Sequence, residues 1–157
     1  MTLLRIVLIA LVAAFAVPAT AQDKGTTNME ILRQKVKADK KLVVASNMNL
    51  TEAEAKAFWP IYEEYQTELR KVNDQLAAVI VNYAKDFNAN TLTDDKALRL
   101  VDQMMMAEQA DTTLKQTFVP KLSKVLPGKK VARYVQIENK IRAIVKYELA
   151  GGVPLAQ

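Results

Sequence analysis

Between Thr51 and Asn88 the chain repeats large apolar side chains at alternating steps of four and three: Phe58, Tyr62, Tyr65, Leu69, Val72, Leu76, Val79 and Tyr83. That rhythm is the heptad seam of a helix that packs lengthwise against another helix. At 1.5 Å per residue such a helix is roughly 55 Å long, too long to be enclosed by so small a chain. It needs a partner along its length.

Helix starts punctuate the rest. Thr27-Asn28-Met29-Glu30 and Leu50-Thr51-Glu52-Ala53-Glu54 have the form of capping boxes, a hydroxyl covering a free backbone N–H while a glutamate reaches back. Leu92-Thr93-Asp94-Asp95 offers a threonine cap and two acids where the helix dipole favours them. Leu126-Pro127-Gly128 places a proline at the first helical position. Four helices are therefore predicted, at about 28 to 47, 51 to 88, 93 to 125 and 128 to 149, followed by a flexible tail over 151–157. The fold class is all-α, with a single helical domain over 22–150.

Only Ala89 to Leu92 separate the second and third helices, which predicts an antiparallel hairpin. A turn centred near residue 90 would pair Tyr62 with Phe118, Leu76 with Met104, Val79 with Val101 and Tyr83 with Ala97. It would also set Pro60 level with Pro120, and two aligned losses of a helix hydrogen bond would bend the pair into an arc. Prolines at the ends of separate short helices are the alternative. Trp59, Ile61, Ile80, Val81, Leu100, Met105, Met106 and Val119 fall off the seam and need another cover. The last helix is one, through Val131, Tyr134, Val135, Ile141, Ile144, Val145 and Leu149; a second copy or a transient client are the others. Trp59, Ile61, Met105, Met106 and Val119 are the candidate client- or partner-binding residues, and substitution of Trp59 or Met106 is expected to weaken binding more than stability.

The first residues, MTLLRIVLIALVAAFAVPATA, join one cation, an apolar run from Ile6 to Val17, and Ala19 and Ala21 at A-x-A spacing. This reads as a secretory signal peptide over 1–21, cut between Ala21 and Gln22, with an uncleaved anchor as the alternative. Cysteine is absent, so an exported domain here is held by packing and not by disulfides. Charge is uneven: residues 22–50 carry six cations and three acids, 51–120 seven and twelve, and 121–157 eight and two. Basic ends are expected to fold onto the acidic middle, in the same chain or in a partner copy. Export and scattered cations weigh against nucleic acid.

With neither His nor Cys, the common nucleophile–base pairs and the usual zinc sites cannot be assembled. Glu63, Glu64 and Glu68 read as a solvated helix face. Met104, Met105 and Met106 are about 100° apart on a helix, so they cannot converge on one copper ion and read as seam filler. No enzymatic activity and no cofactor are expected. No glycine lies between Gly25 and Gly128, which removes the usual support for phosphate-cradling loops.

The leader, the all-helical body and the Leu-Thr dipeptide opening the main helix resemble the Spy/CpxP-like periplasmic proteins of Gram-negative bacteria, marked by LTxxQ motifs. Leu50 and Thr51 match the first two positions, with Glu54 in place of glutamine; at the second site Leu126 matches, with Pro127 and Lys130 in the other places. The resemblance, to a divergent member, implies a curved helical homodimer in the periplasm. Such a dimer would hold unfolded or partner envelope proteins without ATP, or restrain an envelope-stress sensor, with no stable membrane insertion after cleavage. The metal-sensing branch of that family is not implied, because the histidines are missing. A regulatory partner without chaperone activity, or a structural helical spacer, are the other readings.

Overall fold

The structure is a computed structural model in which residues 39–156 are described; from Leu42 onward they belong to one compact unit. The expected leader and the Thr27 capping box lie outside the described residues. Every regular element among the described residues is an α-helix. The first, α1, is described over 39–48; then come α2 (Glu52–Asn88), α3 (Asp94–Ser123) and α4 (Gly128–Gly152).

The caps lie where the short polar motifs put them. Thr51 precedes α2 and accepts from the Glu54 N–H at 3.3 Å, while the Glu54 carboxylate accepts from the Thr51 N–H at 2.7 Å. Thr93 accepts from the Lys96 N–H at the start of α3. Left-handed backbone, usually a glycine task, falls to asparagine: Asn49 between α1 and α2 (φ 47°) and Asn90 between α2 and α3 (φ 53°). Two boundaries differ from expectation. Pro127 is the residue just before α4 and not its first helical residue. α4 also continues through Gly151 and Gly152, stopping at the extended Val153 because the following proline disfavours helical backbone there.

Near the interhelical turn Lys96 Nζ lies 2.6 Å from Asp86 Oδ1; farther away the rings of Tyr65 and Phe118 meet at 5.3 Å, and Lys121 reaches Glu64 at 2.7 Å. Partners climb α2 as they descend α3, so the two run antiparallel. The register is not the expected one. Phe118 meets Tyr65 instead of Tyr62, because α2 ends at Asn88 and α3 begins at Asp94, which moves the centre of the turn toward residue 91. Pro120, chain neighbour of the Lys121 that pairs with Glu64, therefore stands about one helical turn from Pro60 rather than level with it. Both prolines lie inside their helices.

α4 runs antiparallel to α3 and parallel to α2. Arg142 pairs with Asp111 and Lys146 with Glu108, while Gln66 donates to Glu138 at 2.9 Å and the Tyr83 hydroxyl donates to the Pro154 carbonyl at 2.8 Å. Lys121, Lys130, Arg142 and Lys146 all pair with acids of the 51–120 stretch, so the basic C-terminal segment folds back on the acidic middle within one chain.

The core is concentrated at one end of this bundle. Val44 and Met48 of α1, Phe58, Tyr62, Tyr65 and Leu69 of α2, Phe118 and Leu122 of α3, and Leu126, Val131 and Tyr134 form a single buried cluster. Its five rings interlock edge to face or tilted: Phe58 lies 5.2 Å from Tyr134 and 5.9 Å from Tyr62, and Tyr65 lies 5.3 Å from Phe118 and 6.0 Å from Tyr134. Each such pair adds about 1 kcal/mol to what burial of the rings contributes.

Candidate functional site

Below the aromatic cluster the bundle carries a polar belt. Glu138, on the inward face of α4, accepts from Gln66 Nε2, which also donates to the Tyr134 hydroxyl at 3.3 Å. One turn on, Asp111 of α3 is held by Lys115 at 3.0 Å and by Arg142. Both acids are buried, and both have cationic or amide donors, as buried carboxylates require. Burial, reinforced by the nearby Glu138 charge, pushes the Tyr62 and Tyr134 hydroxyls well above their ordinary range and Tyr65 up to about 12. The Tyr62 hydroxyl finds no hydrogen-bond partner among the described residues.

Beyond this belt the packing thins. No residue is fully buried in α2 after Leu69, in α3 before Ala107, or in α4 after Glu138. The helices there still carry large apolar side chains: Leu98, Val101 and Met104 are exposed, Met105 is 60 % exposed and Met106 71 %. Met106, Gln109, Ala110, Thr113 and Thr117 of α3 face Glu68, Lys71, Val72 and Gln75 of α2 across an open groove of about 610 Å³. At 100° per residue this strip of α3 lies on the flank opposite Glu108, Asp111 and Lys115, so α4 does not cover it.

The five candidate binding residues consequently divide. Met105 and Met106 belong to the open end. Trp59 and Ile61 pack against the core, the indole edge-on to Phe58 at 5.0 Å and to Tyr62 at 5.2 Å, and Val119 lines a cavity of roughly one water's volume beside Tyr65, Phe118 and Leu122. Trp59 is thus a wall of the aromatic cluster, and its substitution is now expected to act on stability. Val101 and Met104, placed on the seam by the expected register, are exposed. Sequence reasoning also missed the polar belt. The available signal was Glu138 itself, a charge standing in the 131, 134, 138, 141 series of apolar positions on α4.

The motif residues gather at the opposite, closed end. Leu50 packs against the core, Thr51 caps α2, and Leu126 is buried. Glu54 and Lys130, which stand where glutamines are expected at the two sites, are bonded to each other at 2.5 Å, and Lys130 also donates to the Asn49 carbonyl at 2.8 Å. The Lys130 hydrogen bond, with that of the Thr51 N–H, holds the Glu54 carboxyl below the usual carboxylate range. Two of the three departures from the motif, Glu54 and Lys130, are therefore one complementary pair, closing the corner between α1, α2 and α4.

No family model, curated protein or solved structure matches the chain. Among the described residues no group of three or more carboxylates gathers around a point that would hold a metal ion, and no helix is long and apolar enough to cross a membrane.

Proposed function

We propose that this chain is an exported, ATP-independent periplasmic chaperone or envelope-stress adaptor of Spy/CpxP-like type, acting as a bent helical hairpin in a homodimer. The observation that carries this reading is the open end of the bundle, where Leu98, Val101, Met104, Met105 and Met106 of α3 are all exposed. Flexible, polarisable methionines next to mixed charge suit weak binding of many extended segments, because they adapt to different side chains without a fixed pocket.

The deciding experiment is suppression of aggregation of a reduced model protein. Suppression near equimolar ratio that is lost in a Met105→Glu/Met106→Glu variant supports holding; no suppression at several-fold excess rejects it. A regulatory partner of an envelope sensor would instead give a single saturable complex and indifference to unfolded protein, and a structural spacer would give neither.

A further inference from the structure

We infer that the outer edge of α4 is a docking ridge for an anionic lipid surface, a site separate from the exposed methionines of α3. Lys129, Arg133, Lys140, Ile144 and Tyr147 recur at steps of three, four or seven residues, so they share one stripe about 27 Å long. All five are exposed, Ile144 by 64 % and Tyr147 by 79 %. Leu155, 87 % exposed, follows just past the helix end.

The charge on this stripe is of one sign. α4 has two carboxylates, but Glu138 is turned into the bundle and Glu148 lies toward the rim. Lys130, Arg142 and Lys146 are engaged by acids of the chain itself and do not belong to the stripe. What is presented outward is a cationic first half, in which Arg133 also donates to the Asn47 carbonyl at 3.5 Å, and an apolar, tyrosine-bearing second half.

That order along the axis selects the occupant. An acidic peptide would match the three cations and leave Ile144, Tyr147 and Leu155 in water. A lipid surface satisfies both halves when the helix lies slightly tilted: phosphates meet Lys129, Arg133 and Lys140, and the C-terminal end enters the interfacial layer, where tyrosine is favoured. Each cation near such a surface strengthens partitioning roughly fivefold, the three together about a hundredfold.

The test is co-sedimentation of the full chain with vesicles of phosphatidylcholine alone or with one third phosphatidylglycerol. The apolar run Ile6 to Val17 is common to every arm, so the readout is the difference between lipids and between variants. Expected is preferential binding to the anionic vesicles, weakened by 0.5 M salt, about a hundredfold weaker in K129Q/R133Q/K140Q and several-fold weaker in I144S/Y147S, with unchanged helical circular dichroism. If the triple variant does not fold, Lys140→Gln alone is expected to show the roughly fivefold loss. Equal binding to both lipids, indifference to the three cation substitutions, or displacement of the protein from vesicles by equimolar polyglutamate would overturn the inference, the last by pointing to an acidic protein. Failure here leaves the reading of the exposed α3 methionines, which share no residue with this ridge, unaffected.

Discussion

The Tyr62 hydroxyl is buried to 1 % exposure, with Phe58, Trp59 and Tyr134 around its ring and no partner for its O–H among the described residues. A hydroxyl moved from water into such a place without a hydrogen bond costs about 1–3 kcal/mol. Tyr62→Phe keeps the ring and its edge contacts and removes only the oxygen. Against the recovered desolvation stands the small void left by one atom, which forfeits a few tenths of a kcal/mol of dispersion contact. The net expectation is a gain of about 1 kcal/mol, or about 4 °C in Tm for a domain of this size. Tyr134→Phe is the control: it removes the acceptor of Gln66 and is expected to cost about 1 kcal/mol. Urea unfolding followed by far-ultraviolet circular dichroism reads both, since an all-helical chain loses nearly all its signal on unfolding. A Tyr62→Phe variant destabilised by more than about 1 kcal/mol at unchanged m would refute the reasoning and mean that the hydroxyl is satisfied, for instance by a buried water.

Further outcomes follow from the same structure. Tyr62, Tyr65 and Tyr134 are raised above the value of 10.0 at which they ionise in the unfolded chain, so the folded state holds protons that the unfolded state releases. Their contribution is complete below pH 10 and is lost as pH rises through the raised values, by up to about 1.4 kcal/mol per pH unit for each ring; Tyr65→Phe should flatten the decline measured by thermal melts between pH 9.5 and 11.5. Trp59→Ala should cost about 2–4 kcal/mol, because it removes a wall of the aromatic cluster, whereas Met106→Glu should change Tm by less than 2 °C; the same melts compare them. Asn90→Ala should cost about 1 kcal/mol and Asn90→Gly almost nothing, since only the former strains a left-handed φ. Neutralising Lys130 with K130M should bring the Glu54 carboxyl back up toward its ordinary range, readable by carboxyl NMR titration.

The helix starts were legible because capping is local chemistry: Thr51 with Glu54, and Thr93 with the acids behind it, specify their ends within four residues. The first half of the seam was legible for the same reason, each of Phe58, Tyr62, Tyr65 and Leu69 being buried where its spacing puts it. Register was not, because it depends on how Ala89 and Asn90 close the end of α2, and a shift of three residues exchanges Tyr62 for Tyr65 as the partner of Phe118. The seam pattern continues through Val72, Leu76, Val79 and Tyr83, yet periodicity states only which face is apolar and not whether enough mass lies opposite to seal it. Trp59, Met105 and Met106 look alike in sequence as off-seam apolar residues; only the neighbouring rings separate the first from the other two. Glu138 and Asp111 look like solvated helix charges until their donors on other helices are known.

Because the buried ring cluster sits at one extremity, resistance to local melting should fall along the long axis. Amides near Phe58 to Leu69 should exchange only with global unfolding, and those flanking Asn90 through cheap fraying. A molecule graded in this way can let its soft extremity be reshaped by whatever it touches while its rigid extremity keeps the chain folded, so accommodation of a bound segment requires no disruption of the aromatic cluster.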